Sequence, residues 1–73
     1  MNRPVIEFLR DIIDWMENAQ SFVDGIDRRA FMADLKTRSA VERAVEIIGE
    51  ASKHVPDDIR DQFPDVPWQG MSG

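Results

Sequence analysis

The side chains with the widest chemical range are a single histidine, His54, and a run of carboxylates: Glu42, Glu46 and Glu50, then Asp57, Asp58 and Asp61. An imidazole titrates near neutral pH and suits proton transfer or metal ligation. Two carboxylates divide acid and base roles only where burial separates their pKa values, which requires a cleft. The three glutamates recur at the spacing of one helical turn, so the pattern describes a solvated, ion-paired helix face. Arg43 precedes Glu46 on that face and is placed to hold Glu46 and Glu50 in a shared polar site. His54 closes the same periodic segment, where an imidazole is a favourable partner for a helix C-terminus.

Other chemistries lack their residues. There is no cysteine and no second histidine, which excludes thiol nucleophiles and leaves a transition-metal centre only carboxylates, poor zinc ligands without imidazole. No cofactor or metal is expected. Ser39 and Ser52 fall inside a helical pattern, without the strand-to-helix elbow that exposes a serine nucleophile. Gly25, Gly49, Gly70 and Gly73 are isolated, so no glycine-rich loop cradles phosphate. Trp15 and Trp68 are of a type that stacks on nucleobases, but no basic cluster interleaves with them and packing in a core or interface is expected. Arg28, Arg29, Lys36 and Arg38 form the one basic neighbourhood, too thin by itself for nucleic acid. These residues alone assign no catalytic role; Arg38, Arg43, Glu46, Glu50, Trp15 and Trp68 are the candidates for a polar site or an interface.

Nine basic against fourteen acidic side chains give a net charge of -5, which disfavours nonspecific attraction to phosphate backbones and anionic membranes. Neither DNA nor membrane is an expected partner. The N-terminal "MNRPVIEFLRDIIDW" interleaves acids with apolar residues, unlike a secretion signal or spanning segment, and a cytoplasmic location is expected. At 73 residues the chain is near the lower limit for a self-sufficient core, and without disulfides oligomerisation is the ordinary means of support.

The elements that position these side chains are helices. From Pro4 to Val23, Val5, Leu9, Ile12, Met16, Ala19 and Val23 recur at steps of three and four, which predicts a helix of about 30 Å. Ile6, Phe8, Ile13, Trp15 and Phe22 widen the apolar arc beyond what one neighbouring helix covers, so two packing surfaces are implied. Asp24-Gly25 closes it. "GIDRRAFMADL" reads as a short connector, with Asp27 as N-cap and Ile26 stapled to Phe31. A second long helix is predicted from Leu35 or Thr37 to His54, with Val41, Ala44, Val45, Ile48, Ala51, Ser52 and Val55 on one side. Its opposite side, Arg43, Glu46, Glu50, Lys53 and His54, is spaced for a ladder of ion pairs. Gly49 costs about 1 kcal/mol relative to alanine inside a helix, so close backbone approach is its expected reason. Pro56 opens a short helix that Pro64 stops, pairing Ile59 with Phe63. The tail "DVPWQGMSG" reads as a helix start: Asp65 to accept first-turn N–H groups, Pro67 at the opening position, and Trp68 as anchor. No segment alternates with the period of a strand. The class is all-α, an antiparallel helical bundle, with residues 1–73 as one portion of a single domain.

The order of these pieces carries more than any one of them. "DLKTRSAVERAVEIIGEASKHVP" followed by "FPDVPWQGMSG" resembles the HepT-like branch of the HEPN superfamily: Asp34 with Thr37-Arg38, then Ile48-Gly49-Glu50-Ala51, then Pro64, Pro67-Trp68 and Gly73. The resemblance covers the whole chain and implies an up-and-down four-helix bundle. It implies a metal-independent ribonuclease, the toxin of a toxin-antitoxin pair, active as a homodimer and restrained by a minimal nucleotidyltransferase antitoxin that modifies a tyrosine. The family's Arg, His and Tyr motif would lie on a helix opening at "DVPWQGM". No tyrosine occurs in the sequence, His54 belongs to the preceding helix, and Arg60 does not match the motif, so no catalytic residue is carried over. The expectation is a bundle without its C-terminal motif-bearing helix, inactive by itself. The alternative is a noncatalytic dimerisation or partner-binding module; a substrate-binding subunit for a nucleotidyltransferase acting on small molecules shares the architecture.

Overall fold

The computed structural model describes residues 3–72. Pro4, with its φ fixed at −58°, leads into α1 (Val5–Val23), and Gly25 ends the turn after it at φ +77°, a conformation that other residues rarely adopt. Asp27 caps α2 (Arg28–Ala33) by accepting the Ala30 N–H at 2.8 Å. Asp34 separates α2 from α3 (Leu35–Ser52), accepting the Thr37 N–H at 3.1 Å and the Thr37 hydroxyl at 2.7 Å. Two acidic caps thus set both helix starts within one short connector. The second cap carried a sequence signal, the Asp-x-x-Thr spacing.

α1 and α3 pack antiparallel: Phe8 meets His54 at one end, and Val23 and Val41 line a common hollow at the other. Between them Ile12, Ile48, Ala51 and Val55 form the core, with Phe8, Leu9, Trp15, Ile59, Trp68 and Met71 packed against it. Ala44 and Ser52 are fully enclosed, and the Ser52 hydroxyl donates to the Gly49 carbonyl at 2.7 Å. Small side chains at these positions let the helices approach closely. The fold is all-α, with no strand among the described residues.

After α3 the chain doubles back. Pro56 precedes α4 (Asp57–Arg60), from which Arg60 reaches over the end of α3: its Nη2 donates to the Ser52 carbonyl at 2.7 Å and its Nε to the Val55 carbonyl at 2.9 Å. These are carbonyls that a helix end leaves without intrahelical partners. The same guanidinium lies 5.7 Å from the centre of the Trp68 ring, and the Trp68 indole N–H donates to the Phe63 carbonyl at 3.1 Å. α5 (Trp68–Ser72) follows, and its Met71 carbonyl rests directly on Gly49, where a Cβ would come within 2.7 Å of the oxygen. Close backbone approach at Gly49 is therefore observed, and α5 is the segment that approaches.

Several expectations are corrected. α3 ends at Ser52, not His54. Val45, expected in the core, is 58% exposed, because α1 occupies the arc of α3 centred on Ala44 and Ile48 and Val45 lies a quarter turn away. Phe63 does not share the interior with Ile59: it follows α4 and is exposed. Asp65 does not cap α5, since no hydrogen bond reaches its carboxylate among the described residues; the Pro67 carbonyl accepts the Met71 N–H at 3.0 Å instead.

Candidate functional site

The antiparallel pairing of α1 and α3 brings the charged side of each to the same edge. There Arg3, Asp11, Arg43, Glu46, Glu50 and His54 surround an open cleft of about 220 Å³ floored by Phe8, Ile47 and Ala51. One wall is an ordered stack. The Arg3 guanidinium sits 4.4 Å from the Phe8 ring centre, and on Phe8 the His54 imidazole stacks at 4.3 Å with an 11° tilt. Arg3 is further held by Asp11 at 3.0 Å and Glu7 at 3.6 Å.

The ladder predicted along α3 forms only at its C-terminal end. Glu50 faces Lys53 at 3.6 Å and His54 at 3.9 Å, while Arg43 and Glu46 make no ion pair or hydrogen bond among the described residues. The cleft thus offers an uncommitted guanidinium and an uncommitted carboxylate beside an imidazole. That set can bind a polar group of mixed charge. It does not assemble an acid–base pair, because 3.9 Å between His54 and Glu50 exceeds hydrogen-bond length. Among the described residues no group of three acids or histidines is placed to hold a metal ion.

Of the six candidate residues, Arg43, Glu46 and Glu50 share the cleft. Arg38 lies apart, in a groove with Phe31, Val41, Glu42 and Val45. Trp15 and Trp68 are half-buried against the common core, and neither lines the cleft. Sequence reasoning missed two contributors. Phe8 reads in the sequence as packing alone, and its stack on His54 joins residues remote in sequence; Arg60 matches no motif, yet it bonds the end of α3 and lies near the Trp68 ring. The Asp34 carboxylate is held below its ordinary range, first by the Thr37 hydroxyl, then by the Thr37 N–H.

The chain is all-α, with two long antiparallel helices, the Ile48–Ala51 stretch of α3 packed under a Pro-Trp helix start, and a polar edge on α3. The sequence profile of the family described as Ribonuclease HepT-like matches residues 12–73, and the chain belongs to that family. It is 44% identical over 71 residues to a candidate RNase of Methanocaldococcus jannaschii, covering 97% of this chain and 65% of that protein. It is 42% identical over 72 residues to a Thermococcus cleftensis protein bearing the name probable ribonuclease HepT, covering 99% of this chain and 66% of the relative. A second candidate RNase of Methanocaldococcus jannaschii is 40% identical over 70 residues, with 96% and 58% of the two chains covered. The chain spans about three-fifths of the length of the curated relatives it matches. No solved structure matches. No helix among the described residues is long and apolar enough to cross a membrane.

Proposed function

We propose that these residues are the N-terminal helices of a HepT-like toxin subunit whose activity is metal-independent cleavage of RNA in the cytoplasm. In this reading the subunit works as a homodimer and is restrained by a minimal nucleotidyltransferase antitoxin. The observation that carries it is the seating of α5: Trp68 lies near Arg60, which is bonded to the end of α3, Met71 lies on Gly49, and the helix is therefore directed back along α3 toward the exposed Val45. A motif-bearing helix opening at Trp68 would follow that path. Its arginine would stabilise the phosphoryl oxygens in the transition state, and its histidine would move protons near neutral pH. None of the 73 residues supplies that pair, so the 73-residue chain alone is expected not to cleave RNA.

Expression of the native coding region, with whatever it encodes after Gly73, tests this reading in an RNA-cleavage assay with and without a minimal nucleotidyltransferase. Cleavage that disappears when the encoded Arg or His is replaced by alanine supports it. A coding region that supplies no such motif sinks it. The exposed apolar side chains on α1 and α3 favour a second reading, a noncatalytic module that binds itself or the nucleotidyltransferase. Complex formation without cleavage would select it.

A further inference from the structure

Arg60 is a half-buried cation whose partners are not acids. Asp57, Asp58 and Asp61 stand beside it in sequence, yet among the described residues no ion pair joins it to a carboxylate. Its donors go instead to the carbonyls of Ser52 and Val55, at 2.7 and 2.9 Å, and its guanidinium lies 5.7 Å from the Trp68 ring centre, within cation–π range. The Arg60 carbonyl accepts the Phe63 N–H at 3.0 Å, and the Phe63 carbonyl accepts the Trp68 indole N–H at 3.1 Å. One residue thus meets the end of α3, the turn leading to α5 and the ring that opens α5.

α5 has little of its own to fix its direction. Five residues are too few for a helix to persist alone. Trp68 and Met71, spaced to share one helix face, pack against the core of Ile48, Ala51 and Val55, and the Met71 carbonyl rests on Gly49. Two seats so close together define an axis poorly unless each is held. A helix running on for about ten residues past Met71 reaches about 15 Å, so a tilt of about 5° at Trp68 moves its far end by about 1.3 Å. Misplacement of a catalytic group by about 1 Å can lower a rate about a hundredfold. We infer that Arg60 is a positioning residue for the RNA cleavage proposed above: it touches neither RNA nor the reacting atoms, and through Trp68 it sets the direction of the helix that opens there. The inference rests on that reading and adds to it the residue that aims the helix.

Steady-state cleavage of a single-stranded RNA carrying a fluorophore and a quencher, by the product of the native coding region, tests it at a temperature where circular dichroism shows each variant folded. Arg60→Met should lower kcat by about ten- to a hundredfold and leave KM within about twofold of the parent. Arg60→Lys should fall between. Gly49→Ala, which unseats Met71, should lower kcat in the same way, and the combined variant should lose less than the product of the two effects. Asp34→Ala removes the cap at the far end of α3 and should leave kcat unchanged despite its lower stability. A parent-like kcat in Arg60→Met, or a loss confined to KM, overturns the inference and leaves RNA cleavage standing. An equal loss of kcat in Asp34→Ala overturns it as well, because general stability would then account for both. A parent that cuts no RNA overturns the proposed function and this inference with it. If Arg60→Met does not fold, Arg60→Lys decides alone.

Discussion

At the scale of single residues, the caps and the one crowded glycine govern behaviour. Asp34 is fully exposed, yet its carboxylate is committed to Thr37 twice, and this holds its pKa below the ordinary value. A depressed folded-state pKa means that the stabilisation is complete above the unfolded-state value and fades as pH falls through the folded one. Asp34→Ala should therefore lower the melting temperature at neutral pH. The difference between parent and variant should shrink in melts taken progressively below about pH 4. Gly49 presents a conflict of two terms. Alanine would favour the helix by about 1 kcal/mol. Its Cβ would meet the Met71 carbonyl at 2.7 Å, and backbone oxygen cannot swing aside as a flexible side chain can. Gly49→Ala should keep α3 helical while displacing α5, seen as faster amide exchange across residues 68–72 with exchange in α3 unchanged.

At the scale of elements, the segment after α3 is organised by Arg60. A four-residue helix has too few internal hydrogen bonds to persist alone. It is held because the Arg60 guanidinium bridges the Ser52 and Val55 carbonyls and lies near the Trp68 ring. Charge-assisted bonds of this kind contribute about 1.5–3 kcal/mol each when well formed, less where solvent screens them. Arg60→Met keeps much of the packing and removes the donors, so it should destabilise the chain by about 1–3 kcal/mol. Trp68 emission should shift to the red as α5 loosens. Arg60→Lys should fall between, because an ammonium cannot reproduce the two-pronged geometry. Equal stability and emission in parent and Arg60→Met would remove this role. The antiparallel α1–α3 pair, by contrast, rests on Ile12, Ile48, Ala51 and Val55, and Ile48→Ala should cost about 2–4 kcal/mol by chemical denaturation.

At the scale of the whole molecule, the core is small and much of the apolar surface remains outside it. Trp15 and Trp68 are half-buried, and Ile6, Ile13, Met32, Leu35 and Val45 are each more than half exposed. A fold of this kind gains stability from whatever covers that surface, because binding to the folded state shifts unfolding by mass action. Its melting temperature should rise with protein concentration, by several degrees across a hundredfold range. A melting temperature independent of concentration would mean that this surface contributes nothing through self-association.

The sequence alone determined the all-α class, the spans of the two long helices to within a few residues, the Asp27 cap, the turn at Gly25 and the need for close approach at Gly49. Those features follow from local periodicity, capping chemistry and backbone sterics, which act over a few residues. It also placed the chain in its family, through short motifs in a set order. Tertiary structure decided the rest. The arc of α3 that α1 covers leaves Val45 outside, and the Phe8–His54 stack joins the start of α1 to the end of α3, residues far apart in sequence. Arg60 found its carbonyls only when α4 folded back, and Asp65 was left without the helix N–H groups it was expected to cap. Periodicity specifies that a helix has an apolar side but not the rotation at which a neighbour meets it, and an angular offset of a quarter turn separates a core residue from an exposed one.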